Sequence, residues 1–134
     1  MQTRIQDKLL IATITLSFLL SLGYSFWHRI EPVVDARSYD RIAQNLAEGY
    51  GFKEDRALSY EFDPSIIRAG PLYEFFLAGT YTVFGHHFEA VWILQALLHA
   101  LTAYFIFLIA RLLFAGESDF VPLVAAALIG FHPD

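Results

Sequence analysis

The chain has 134 residues, 56% of them hydrophobic and 16% aromatic, with nine Lys/Arg against fourteen Asp/Glu and a formal net charge of −5. A mean hydropathy of +0.45 is high for a soluble domain of this length and makes a membrane protein the leading class. The acidic balance offers no basic field for nucleic acid, and zero cysteines exclude disulfides, thiolate metal sites and thiol nucleophiles.

Leu9 to Trp27 is nineteen residues without a charge. At about 1.5 Å per residue that stretch just crosses a hydrocarbon layer of about 30 Å. Arg4 and Lys8 precede it, and Trp27 and His28 stand where an interfacial anchor belongs. Thr13, Ser17 and Ser21 recur every four residues, a small polar stripe suited to packing on another helix. A cleaved leader is the rival reading, but apolar cores of leaders run to about 7–15 residues, so a transmembrane helix over 9–27 is preferred. Cationic residues flank both ends of the stretch, so the positive-inside count does not fix its orientation.

The polar stretch from Glu31 to Tyr73 follows, holding Arg37, Arg41, Lys53, Arg56 and Arg68. Over 36–48, Tyr39, Ile42, Ala43 and Leu46 fall on one helical face, with Arg37, Asp40, Arg41 and Gln44 opposite. Asp35 is placed to cap this helix and Gly49 to stop it in a left-handed turn. An amphipathic helix directly after a membrane span is best placed flat on the bilayer. Residues 50–68 look irregular, with a turn at Asp63-Pro-Ser.

Residues 71–84 are apolar except for Glu74, and Pro71 sits at a favoured first-turn position. Fourteen residues make about 21 Å of helix, too short to span, so a second interfacial helix is predicted. A second transmembrane helix is predicted over 90–114, with Gln95, His99 and Thr102 on one stripe. Such a stripe faces neighbouring helices or a wet cavity, and an interhelical hydrogen bond is the simplest role for His99. A third apolar helix starts at Phe120 within 120–134, and the chain stops partway through it, which suggests a piece of a longer protein.

Two residues stand out as chemical candidates. Asp35 serves as a helix cap in the plainer reading and as a general base at the membrane surface in the functional one. Arg68, before Ala-Gly-Pro, either snorkels to the interface or grips a phosphate in a bidentate fork. His86 and His87 are adjacent and share no helical face, and Glu61 and Asp63 show no metal-ligand spacing. Gly49-Tyr-Gly51 is too short for a nucleotide-binding loop.

The order of motifs then carries a resemblance. Asp35-x-x-x-Tyr39, Asn45-Leu-Ala-Glu-Gly-Tyr-Gly-Phe52, Arg68-Ala-Gly-Pro-Leu-Tyr73, Val83-Phe-Gly85 and Ala110-Arg-Leu-Leu-Phe114 follow one membrane helix. Together they resemble the N-terminal part of GT-C fold glycosyltransferases, in the protein-mannosyltransferase and aminoarabinose-transferase branch. The resemblance implies a polytopic membrane enzyme that moves a sugar from a polyprenyl-phosphate carrier to an acceptor outside the membrane. It implies a cytoplasmic N-terminus, an extracytoplasmic loop over 28–88 and an inner-membrane location. Asp35 takes the catalytic position, and Arg68, Arg37, Tyr39 and Tyr73 make up the substrate-binding set.

There are departures from the family pattern. Ala36 stands where many relatives carry a second acidic residue, so a divalent cation stays an open requirement, and Glu74 stands where proline or an apolar residue is common. Relatives continue for many more helices, so the chain alone is expected to be inactive without the rest of its protein or a partner subunit. A non-catalytic membrane module that binds a polyprenyl phosphate or a helix bundle is the alternative. A transporter fragment is disfavoured, because the polar residues gather outside the spans.

Overall fold

The computed structural model describes residues 2–57, 70–115 and 120–132. Among them there is no strand, and five helices follow in order: α1 Gln2–His28, α2 Asp35–Ala47, α3 Pro71–Phe84, α4 Phe88–Leu113 and α5 Phe120–Gly130. The chain divides into two compact units, Met1–Arg29 with Trp92–Asp134, and Ile30–Val91.

In the first unit, α1 begins ahead of the apolar stretch because Gln2 to Lys8 contain no helix breaker. Two helical segments are long and apolar enough to cross a membrane, Gln6–His28 with 23 residues and Phe88–Leu113 with 26. Only 6% of the most apolar window of the first is buried, and 28% of that of the second. Leu9, Ile11 and Leu19 on α1 and Leu101, Phe105 and Ile109 on α4 therefore stand exposed. At 14 and 11 residues, α3 and α5 are too short to cross.

Small residues set how this unit packs. Ser17 and Ala126 are fully buried and α5 lies against α1. A Cβ added at Gly130 would come 3.0 Å from Ser17 Cβ and 3.6 Å from Ala103 Cβ, so a side chain there fits only if Ser17 gives way by a few tenths of an ångström. The predicted stripe on α4 divides. His99 Nε2 lies 3.4 Å from the Gly130 carbonyl oxygen, an interhelical contact, whereas exposed Thr102 donates to Leu98 of its own helix. Phe26 meets Trp92 edge to face at 5.3 Å.

The second unit is built on α2 against α3. Ala43, Leu77, Ala78, Tyr81 and Val91 form its core, with Tyr39, Leu46, Ala47 and Phe76 packed around them. Ile42 and Ala43 are fully buried, as the face read from their spacing requires. At its C-terminal end α2 stops as its glycine dictates. Gly49 takes φ +83°, its N–H donates to the Leu46 carbonyl, and the Tyr50 N–H donates to the Asn45 carbonyl at 2.8 Å. Pro71 occupies the first turn of α3 behind Gly70.

The start of α2 corrects one expectation. Asp35 is the first residue of the helix and not its cap; Val34 holds that position, with φ 50° and no side-chain capping bond. The first turn is closed by backbone bonds, Ala36 N–H to Val33 O and Arg37 N–H to Val34 O, so no side-chain oxygen is needed there. A β-branched residue in this region of backbone space costs on the order of 1–3 kcal/mol.

Replacing Gly130 with leucine forces α5 off α1. Overpacking of this kind costs about 1–3 kcal/mol, so the Gly130→Leu chain in detergent should melt at a lower temperature by circular dichroism. A melting curve that superimposes on the parent's would contradict the close approach.

Candidate functional site

The polar groups of the second unit fall into three places along α2. At the N-terminal end Asp35 is exposed in the first turn, where a carboxylate is favoured by the helix dipole. Tyr39 lies one turn further along the same face and meets Tyr73 of α3 edge to face at 5.9 Å. Tyr73 in turn stacks on Phe76 at 6.1 Å. Of the predicted substrate-binding set, the structure thus brings Tyr39 and Tyr73 together. Arg37 is exposed two residues past Asp35, off that face. Arg68, with Glu61 and Asp63, lies outside the described residues.

At the C-terminal end a loop folds back on the helix. Buried Asn45 donates from Nδ2 to the Lys53 carbonyl at 2.7 Å and to the Glu54 carbonyl at 3.0 Å. Its Oδ1 accepts from Arg56 Nε at 2.6 Å. The Arg56 guanidinium also pairs with Glu48 at 2.7 Å and lies 4.3 Å from the centre of the Tyr50 ring. Arg41 pairs with Glu54 at 3.3 Å, and Phe52 reaches Phe75 of α3 at 6.0 Å. With its donors so occupied, Arg56 ties the loop to α2 and is not a free phosphate grip.

Between these ends sits the most connected polar cluster. Asp40 Oδ1 accepts the Tyr81 hydroxyl at 2.6 Å and lies 2.8 Å from His86 Nε2. The His86 ring packs edge to face on Tyr81 at 4.6 Å and on Phe88 at 5.1 Å. Three segments therefore converge on one carboxylate oxygen: α2, α3 and the turn into α4. Burial of the Tyr81 phenol, and then the Asp40 carboxylate beside it, raise its pKa well above the ordinary tyrosine range. Tyr81 therefore stays protonated and donating.

Sequence reasoning missed this cluster. The helical spacing puts Asp40 on the polar side of α2, and the adjacency of His86 and His87 speaks only against a shared metal site on one helical face. One signal was present: a tyrosine in an apolar helix needs a partner for its hydroxyl when buried. Glu74 is a separate oddity. It is fully buried, and neither carboxylate oxygen has a hydrogen-bond partner among the described residues. Buried carboxyl groups are ordinarily hydrogen-bonded or paired, and nothing among the described residues accounts for this one.

Among the described residues no group of three or more His, Asp or Glu side chains is placed to hold a metal ion. An open apolar groove runs along α1, lined by Lys8, Ile11, Ala12, Thr15, Leu16 and Leu19, and it contains none of the candidate residues. Comparison of the chain with protein-family models, curated proteins and solved structures finds no match.

Tyr81→Phe removes a hydrogen bond to a charged group, worth about 1.5–3 kcal/mol, and should destabilise the α2–α3 pair by that order. The pH dependence has a fixed sign. An unfolded tyrosine ionises near about pH 10, whereas folded Tyr81 resists ionisation. Its contribution is thus complete below that pH and is lost as pH rises beyond it. Unfolding followed from pH 8 to 11 should show a decline that Tyr81→Phe reduces; equal slopes in both chains would refute the assignment.

Proposed function

We propose that this chain is the N-terminal membrane part of a glycosyltransferase that moves a sugar from a polyprenyl-phosphate carrier to an acceptor at the outer membrane face. On this reading Gln6–His28 and Phe88–Leu113 cross the inner membrane, the N-terminus is cytoplasmic, and the unit of α2 and α3 lies outside. Support comes from two helices of crossing length that precede and follow, in the sequence, a segment holding most of the polar groups.

The observation that carries the reading is the convergence at the start of α2. Asp35 is exposed one turn from Tyr39, and Tyr39 meets Tyr73 from α3 at 5.9 Å. A carboxylate able to take a hydroxyl proton stands beside paired aromatic rings, whose faces suit the C–H face of a sugar. Arg37 and Arg68 are the cations proposed to meet the departing phosphate, since a negative leaving group needs fixed positive partners. A polyprenyl donor anchored in lipid must meet a polar acceptor at this boundary, which places the chemistry at the interface.

The alternative is a non-catalytic module that binds a polyprenyl phosphate or a helix bundle. One measurement tests the topology and a second separates the two readings. The chain has no cysteine, so Glu31→Cys and Ala115→Cys can be labelled individually on intact cells with a membrane-impermeant maleimide. Glu31→Cys should react and Ala115→Cys should react only after permeabilisation; the reverse pattern would overturn the topology. In the full-length protein, Asp35→Asn should lower transfer from a polyprenyl-phosphate-linked sugar by about a hundredfold or more while donor binding persists. Transfer at the parent rate would remove Asp35 from the mechanism.

A further inference from the structure

The Asp40 cluster has the geometry of an oriented base, and no role has so far been given to it. A carboxylate oxygen only accepts hydrogen bonds, so the 2.8 Å contact with His86 requires the proton to sit on Nε2. In the neutral ring that leaves the lone pair on Nδ1, for which no partner exists among the described residues. The His86 side chain is 36% exposed, against 13% for Asp40. One edge of the ring is thus tied inward while part of it meets solvent.

The ring is also held in orientation. Tyr81 and Phe88 contact it edge to face at 4.6 and 5.1 Å, which resists rotation about the side-chain bonds. Tyr81 donates to the same Oδ1 at 2.6 Å and so fixes the carboxylate that fixes the imidazole. A histidine whose tautomer is set by a carboxylate, with its second nitrogen unpartnered among the described residues and its side chain partly exposed, is the arrangement a proton acceptor requires. A surface histidine without such a partner has neither constraint.

We propose that His86 is a second base of this protein, a proton-accepting site for a hydroxyl-bearing substrate, with Asp40 and Tyr81 as its positioning residues. The identity of the reaction rests on the glycosyl-transfer reading above. In that reaction the acceptor oxygen forms a bond to the sugar's anomeric carbon while its proton passes to His86 Nδ1. The bond between that carbon and the carrier phosphate breaks, and its electron pair leaves on the phosphate oxygen. His86 would then serve acceptors that do not reach Asp35.

The test separates the base from the reaction. Diethyl pyrocarbonate is applied to the full chain in liposomes, and each histidine is followed by mass spectrometry. His86 should be carbethoxylated about tenfold faster than exposed His87 and His132, and Asp40→Asn should bring it down to their rate. Equal rates for all three in the parent would overturn the proposal, whatever reaction the protein performs. In the full-length protein, with an acceptor whose transfer survives Asp35→Asn, His86→Ala should lower kcat for transfer from a polyprenyl-phosphate-linked sugar by about a hundredfold with KM little changed. Added imidazole should restore part of that loss, which a purely structural role would not allow. Wild-type transfer with an unaffected His86→Ala variant would also overturn the proposal. Fast, Asp40-dependent modification without any transfer in the parent would sustain the base and discard only the glycosyl-transfer reading.

Discussion

One carboxylate oxygen determines how the polar unit is put together. Asp40 Oδ1 accepts from Tyr81 and contacts His86, residues 41 and 46 positions further along the chain. The apolar contacts of Ala43 with Leu77 and Ala78 supply the attraction between α2 and α3, but such contacts tolerate rotation and sliding. A short hydrogen bond to a charged group does not, because leaving either partner unmet in a half-buried place costs about 1–3 kcal/mol. Asp40 thus fixes the register in which Tyr39 meets Tyr73, and with it the surroundings of Asp35.

The two units solve different physical problems. In Ile30–Val91 the helices are short, and polar side chains close their ends: Asn45 gathers the loop after α2, and Arg56 joins it to Glu48 and Tyr50. In the unit of α1, α4 and α5, small residues approach closely, as at Ser17, Ala103 and Gly130. Helices that expose so much apolar surface gain little from burying more of it when lipid surrounds them. Packing at small residues and single polar contacts such as His99 with Gly130 are then the available sources of specificity.

Local signals were legible in the sequence and long-range ones were not. Pro71 and Gly49 marked helix boundaries because each acts through its own backbone, and the spacing of Ile42 and Ala43 marked the buried face. The length of the apolar runs separated the two crossing-length helices from α3 and α5. Asp35 was misplaced as a cap because a backbone turn through Val33 and Val34 closed the helix start, which residue type does not reveal. Asp40 was unreadable for another reason: its partners are set by how α2 docks on α3. Its helical position, on the polar side with Arg41 and Gln44, does not distinguish it from them. His86 was hidden by the logic of metal-ligand spacing, which looks for histidines on one face and passes over a single histidine paired with a distant carboxylate.

The most direct test is a double-mutant cycle on Asp40→Asn and Tyr81→Phe, measured by unfolding of the full chain in detergent micelles. If the Asp40 oxygen joins the two helices, the losses are strongly non-additive, with a coupling of about 1 kcal/mol or more. Losses that add to within about 0.5 kcal/mol would show that the two side chains act independently, and the account of how α2 is held on α3 would fail.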